Sequence, residues 1–302
     1  MYDIIIIGGG PAGLTAALYA LRANKKVLVI EKATLGGQIT FSPKVENIPG
    51  FLSVSGNEFS EKLVEQVLEQ GADIELCEAL KIKRGKIKTV VTDSGDFEAP
   101  AVIIATGAKH RLLGLDKEEQ FIGDGISFCA VCDGAFFKDK TVAVIGGGNS
   151  ALQEALQLSE LVKKVYIIQN LDFLTGEGKL CAQAGEKDNI EISLGTTVKA
   201  ILGDKTFEGI TIKKESDQYT TNLALDGMFV AIGLVPQNEN FADIISLDER
   251  GYADYGENCE TFTEGVFVAG DCRKKIIRQV TTASSDGAVA ALSACKYIDS
   301  LK

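Results

Sequence analysis

The sequence predicts an α/β protein of two doubly wound units, the second inserted into the first. Three observations carry this expectation. A strand, glycine turn, helix, strand pattern opens the chain, and the same pattern recurs from Thr141. A further apolar strand, Val266-Phe267-Val268, ends in Gly270-Asp271 after the second copy is complete near Gly233. Alternating apolar strands and small-residue helices indicate parallel sheets covered by helices. The expected domains are 1–112 with 246–302, and the insertion 113–245.

The first copy starts with Ile4-Ile5-Ile6-Ile7, followed by Gly8-Gly9-Gly10-Pro11-Ala12-Gly13 and a helical stretch from Leu14 to Ala23. Val27 to Ile30 is the next strand, and Glu31 stands 21 positions after Gly10. Gly8, Gly10 and Gly13 match G-x-G-x-x-G. The first glycine permits the tight turn, the second lets a pyrophosphate reach the helix N-terminus, and the third lets helix and strand pack closely. The acid suits ribose hydroxyls. With its strand, helix and acid in place, the motif is that of a Rossmann-like dinucleotide site. Val102 to Gly107 closes this copy. Residues 58–70 read as a surface helix, with Phe59, Leu63, Val64, Val67 and Leu68 as its apolar stripe and Gly71 as its stop.

In the second copy Val142 to Ile145 is the strand, and Gly146, Gly148 and Ala151 fit G-x-G-x-x-A. A helix is expected over Ala151 to Val162, then the strand Val165 to Ile168. Met228 to Gly233 closes the copy. Before each closing strand lies a hairpin-like section, with turns at Arg84-Gly85, Ser94-Gly95 and Gly203-Asp204. A last apolar helix is expected over Gly287 to Ile298.

Composition narrows the classes. The chain has 302 residues, 45% hydrophobic and 24% charged, which fits about two globular domains and excludes disordered or collagen-like chains. Its net charge of −11 repels nucleic acid. No apolar run approaches a membrane span. The N-terminus lacks the charged start and long apolar core of a signal peptide, so a soluble, cytoplasmic protein is expected. The seven cysteines are 77, 129, 132, 181, 259, 272 and 295. Cys129 and Cys132 form a C-x-x-C pair, which reads as redox chemistry or half a zinc site. A closed zinc site needs four ligands, and the chain has one histidine, His110, and no second C-x-x-C. His110 reads as a loop residue, the five other cysteines as packing residues, and no metal is expected.

Gly36-Gly37-Gln38-Ile39, Val45 to Gly50, Ala105-Thr106-Gly107-Ala108, Cys129-Ala130-Val131-Cys132-Asp133-Gly134, Gly270-Asp271 and Arg278-Gln279 follow in order. Together they resemble the low-molecular-weight, bacterial-type thioredoxin reductases along almost the whole chain. The resemblance implies a homodimeric FAD enzyme acting on thioredoxin. It places FAD on Gly8, Gly10, Pro11, Ala12, Gly13, Glu31, Lys32, Gly36, Gly37, Gln38, Asn47, Ala105, Thr106, Gly107, Gly270, Asp271, Arg278, Gln279 and Val280. It makes Cys132 the partner of the flavin, Cys129 the nucleophile toward the substrate disulfide, and Asp133 the proton donor and acceptor.

One region departs from the family. Members that use NADPH carry a His-Arg-Arg cluster, and an arginine four residues on, where this chain reads Gln169-Asn170-Leu171-Asp172-Phe173-Leu174-Thr175. Gln169 follows Gly148 at the same offset as Glu31 follows Gly10. It is neither an acid for a ribose nor a cation for a 2′-phosphate. In this the chain resembles the ferredoxin-dependent flavin thioredoxin reductases. A ferredoxin near −400 mV lies about 130 mV below thioredoxin, worth roughly 6 kcal/mol for two electrons. Ferredoxin is therefore the expected donor, with NADH as the alternative. Arg273, Lys274, Lys275 and Arg278 are the candidate docking patch. A ferredoxin–NADP reductase would have no use for the dithiol. A non-enzymatic flavoprotein sensor would not need Asp133.

Overall fold

The computed structural model describes residues 1–42 and 45–301. They form two compact units, Met1–Lys109 with Val235–Lys302, and His110–Leu234.

In the first unit a five-stranded parallel sheet runs in the order Val266–Val268, Ala101–Ile104, Ile4–Ile7, Val27–Glu31, Asp73–Leu76. Side chains alternate across a strand, so the four isoleucines of Ile4–Ile7 serve two cores. Ile4 and Ile6 pack with Leu14, Ala16, Ala290 and Ala294 of the helices Pro11–Arg22 and Val280–Ser300. Ile5 and Ile7 pack with Ile82, Val90 and Ala99 of the antiparallel sheet Ala79–Lys83, Lys88–Thr92, Asp96–Ala99. A strand buried on both faces has no polar alternation, which is why it reads as an unbroken apolar run.

The second unit repeats this layering. Its parallel sheet runs Ile190–Ser193, Lys164–Ile168, Thr141–Ile145, Gly227–Val230, Ile126–Ser127. Val142 and Val144 face the helix Asn149–Ser159, and Ala143 and Ile145 face the antiparallel sheet Thr196–Leu202, Gly209–Lys214, Thr221–Ala224.

The crossings between the units fall at 109/110 and 234/235, not at 112/113 and 245/246. Phe241, Ile244 and Ile245 explain the larger shift, because they join the first unit's core beside Ile5, Ile7 and Val266. Buried Asn238 adds polar ties, donating to the carbonyls of Gly251 and Cys272 at 2.9 Å each.

Several helices also begin earlier than expected. The surface helix spans Gly56–Glu69 because the Ser55 hydroxyl accepts the Glu58 amide at 3.0 Å. The last helix spans Val280–Ser300, started by a reciprocal cap between Gln279 and Thr282. The second glycine turn leads into its helix at Asn149, directly after Gly148. Among the described residues, no helix is long and apolar enough to cross a membrane.

Candidate functional site

Gly8 and Gly146 open the two glycine turns with φ of +113° and +127°. A Cβ at Gly8 would stand 2.2 Å from the Ala105 carbonyl oxygen, and one at Gly146 2.6 Å from that of Ala231. Both turns therefore require glycine for conformation and for close approach. Gly10 and Gly148 then precede their helices with matching extended backbones. In the first unit Pro11 pre-sets the first helical residue, where a missing amide proton costs nothing.

The two turns differ in what backs them. Glu31 accepts the Gly9 amide at 2.8 Å with Oε2 and the Ala33 amide at 2.9 Å with Oε1. Gln169, 4% exposed, lies against Gly147 and donates from Nε2 to the Phe173 carbonyl at 3.2 Å. The segment after it folds back over the turn. The Thr175 and Gly176 amides donate to the Gly147 carbonyl at 2.8 and 3.0 Å. Asn149 and Glu177 exchange two hydrogen bonds, at 2.7 and 3.0 Å. From Gln169 to Gly178 the chain carries Asp172 and Glu177 and no cation.

The first unit gathers the residues expected to hold FAD. Gly8, Glu31, Lys32 and Thr106 line an open cleft, joined by Glu78, Gln237 and Asn240. Gly36 donates to the Gly9 carbonyl at 2.8 Å, which brings Gly37 beside Gly10 and Pro11, with Gln38 next in the chain. Asn47 donates to the Gln279 side chain at 3.0 Å, and Val280 packs against the apolar cluster of Val45, Ile48, Val54 and Phe59. Gly270 lies on Ala12, and Arg278 donates to the Asp271 carbonyl at 3.4 Å.

Three features fit a bound dinucleotide. Asp271 Oδ1 is buried with no hydrogen-bond partner among the described residues. Burial raises the Asp271 carboxyl, opposed by Lys275 and Arg278. A Cβ at Gly10 would meet nothing nearer than 3.9 Å, and one at Gly107 nothing within 4 Å, so open space adjoins both backbones.

Sequence reasoning missed Asp286. It accepts from Arg273 at 3.0 and 3.1 Å, from Lys275 at 2.9 Å and from the Gly270 amide at 3.0 Å. This corrects the expected docking patch. Arg273 and Lys275 are spent on a buried carboxylate, Lys274 pairs with Asp254 at 3.0 Å, and Arg278 lies over the Tyr252 ring at 4.2 Å. No spacing rule would have found this cluster, because its members meet only after the last helix docks.

In the second unit Cys129 and Cys132 form a disulfide across a one-turn helix, Ala130–Asp133, with Cα atoms 5.3 Å apart. The Cys132 amide donates to Cys129 Sγ at 3.2 Å. Ser127, another residue missed from the sequence, accepts the Cys129 amide at 3.1 Å and donates to Asp133 Oδ2 at 2.6 Å. Burial raises the Asp133 carboxyl, and the Ser127 hydrogen bond opposes it. Asp133 Oδ1 has no partner.

His110 ends the strand Ala108–His110 and stacks on Phe128, ring centroids 4.5 Å apart. Burial pulls it down to about 4, so it is neutral at neutral pH. Cys77, Cys259, Cys272 and Cys295 are buried thiols, and Cys181 is half-buried.

Residues 2–287 match the pyridine nucleotide-disulphide oxidoreductase family. The chain is 40% identical to the thioredoxin reductase of Listeria monocytogenes over 304 residues, covering 100% of this chain and 95% of the relative. It is 40% identical to a 34.2 kDa protein in the rubredoxin operon of Clostridium pasteurianum, covering 98% and 97% of the two chains. The crystal structure of thioredoxin reductase from Streptococcus pyogenes superposes with a TM-score of 0.94 at 38% identity, covering 99% of each chain.

Proposed function

This chain belongs to the pyridine nucleotide-disulphide oxidoreductase family, and within it to the low-molecular-weight thioredoxin reductases, and we propose that a ferredoxin-type protein rather than NADPH supplies its electrons. It is a flavin-dependent disulfide oxidoreductase, as thioredoxin reductases of this family are FAD flavoproteins. The proposed acceptor is thioredoxin. The protein is read as a homodimer, as the resemblance implies.

In this reading the Gly8–Gly13 turn would hold the FAD pyrophosphate with its backbone amides, and Glu31 would hold a ribose. Lys32, Gly36, Gly37, Gln38, Asn47, Ala105, Thr106, Gly107, Gly270, Asp271, Arg278, Gln279 and Val280 complete the cradle, with Asp271 Oδ1 free for a cofactor hydroxyl. FAD held there would supply the two-electron redox chemistry that reduces the Cys129–Cys132 disulfide to the dithiol.

The dithiol then works by exchange. The amide donated to Cys129 Sγ favours negative charge on that sulfur, which suits Cys129 as the attacking thiolate. Its attack forms a mixed disulfide with thioredoxin and releases one substrate thiolate. Cys132 attacks Cys129 Sγ, the Cys129–Cys132 bond re-forms, and the second substrate thiolate leaves. Asp133 takes the Cys132 proton and returns it to the leaving sulfur.

The observation that carries the donor proposal is the second glycine turn. The segment that backs it offers Gln169, Asn170 and Thr175 where a 2′-phosphate needs fixed cations, and its charges, Asp172 and Glu177, are negative. Stopped-flow mixing of oxidised protein with NADPH, NADH and reduced ferredoxin tests the proposal. Ferredoxin should bleach the flavin fast and NADPH negligibly. Fast bleaching by micromolar NADPH refutes the donor assignment.

A further inference from the structure

We propose that Ser127 is a positioning residue that selects Asp133 Oδ1 as the oxygen that exchanges protons with the redox sulfurs, an inference that rests on the dithiol mechanism above. Ser127 is 5% exposed, and its hydroxyl has two partners. Its oxygen accepts the Cys129 amide at 3.1 Å, so its proton points the other way, to Asp133 Oδ2 at 2.6 Å. That short bond makes Oδ2 an acceptor. Oδ1 is buried with no hydrogen-bond partner among the described residues, which leaves it as the site where a proton resides and from which it moves.

The chain of atoms is continuous. The backbone of the attacking cysteine is tied to Ser127, Ser127 to Asp133, and Asp133 follows Cys132 in the one-turn helix. Ser127 itself sits at the end of a parallel strand pinned to Phe229 of the sheet. The sheet therefore fixes the rotamer of the acid through one hydroxyl. During exchange, Asp133 Oδ1 accepts the proton of the Cys132 thiol as Cys132 attacks Cys129 Sγ, and gives it to the departing substrate thiolate. No electron or proton is lost, since one dithiol and one disulfide become one disulfide and one dithiol.

The hydrogen bond from Ser127 favours the ionised carboxylate, and burial opposes it. Of the elements packed on the dithiol helix, the Gly134–Phe137 turn has no titratable group and the helix Asn149–Ser159 has Glu154. Glu154 is pushed up to about 8 by burial, and its Oε2 has no partner. It is the one competing acid on those two elements, so the test includes it.

The test measures thioredoxin reduction against pH, alongside iodoacetamide alkylation of the Cys132 thiol against pH, each variant being made in the Cys129→Ser background for the alkylation. FAD content and melting temperature check the fold. Loss of one hydrogen bond to the ionised form should move the Asp133-dependent limb of both profiles up by about one pH unit in Ser127→Ala, a tenfold loss of rate on the acid side. Ser127→Thr should restore the native limb, and Asp133→Asn should abolish it with no further effect of Ser127→Ala. Glu154→Gln should leave the limb in place. The proposal is overturned if Ser127→Ala leaves the limb unmoved, or if Glu154→Gln moves it instead. The alkylation profile does not involve thioredoxin, so a native protein that fails to reduce thioredoxin yet shows the Asp133 limb refutes the reductase reading alone.

Discussion

Glu31 holds the Gly9 amide at 2.8 Å, and Gln169, at the same place in the second unit, turns its amide away to Phe173. One glycine turn thus has an acceptor for a ribose aimed along it. The other is backed by a carboxamide and closed by its own chain. Two copies of one motif therefore carry different ligand chemistry.

If missing cations are the reason for rejecting NADPH, restoring them should reverse the rejection. Asn170→Arg, Leu171→Arg and Thr175→Arg together supply fixed donors for a 2′-phosphate. NADPH-driven flavin bleaching should rise at least tenfold, and NADH-driven bleaching should rise much less. An equal gain for both nucleotides would show that charge at the 2′ position is not the discriminator.

The two cysteines should separate by role. Cys132→Ser leaves the Cys129 thiol free to attack, so it should accumulate a mixed disulfide with thioredoxin on a non-reducing gel. Cys129→Ser should trap none. Both variants should keep their flavin absorbance, because the cradle residues lie in the other unit. Trapping by Cys129→Ser alone would reverse the assignment.

Asp286 should be worth more to stability than its place in an ordinary helix suggests. Burial raises its carboxyl, but hydrogen bonds from Arg273 and Lys275 outweigh this and hold it below its usual 3.8. Its contribution is therefore present above the unfolded value and lost as pH falls through the lower folded one. Asp286→Asn leaves two cations facing a neutral group. The expected cost is about 3–5 kcal/mol at neutral pH, with Tm lower by roughly 6–12 °C, read by calorimetry. The difference from native should shrink below pH 3.8. A variant within 1 °C of native at pH 7 contradicts this account.

Gly287 should not tolerate a methyl group. A Cβ there would stand 2.1 Å from the Ala12 carbonyl oxygen, at the contact of the Pro11–Arg22 and Val280–Ser300 helices. Alanine improves helix propensity by about 1 kcal/mol, but the helices must then part, at a cost of about 1–3 kcal/mol or more. Because Ala12 belongs to the FAD turn, Gly287→Ala should lower both Tm and retained FAD. A more stable variant with full FAD content argues against close packing here.

Strands and turns were legible because each rests on short-range chemistry. Ile4–Ile7 and Thr141–Ile145 are apolar on both faces, and Gly8 and Gly146 stand where the backbone turns at positive φ. The dithiol and its acid lie within five residues, so spacing alone brings Cys129, Cys132 and Asp133 together. Helix starts were less legible, because the Gln279–Thr282 cap competes with a composition that suggests a later beginning.

The sequence by itself determined the doubled α/β plan, the C-x-x-C pair and the absence of cations from Gln169 to Gly178. These depend on residue type, period and offset along the chain. Only the tertiary structure decided that Phe241, Ile244 and Ile245 belong to the first unit, and that Arg273 and Lys275 are buried on Asp286. It alone placed the Ser127 hydroxyl between Cys129 and Asp133. The physical reason is the same in each case. Burial and hydrogen-bond partners depend on which surfaces meet when strands and helices close, and an exposed cation and a buried one are the same letter until they do.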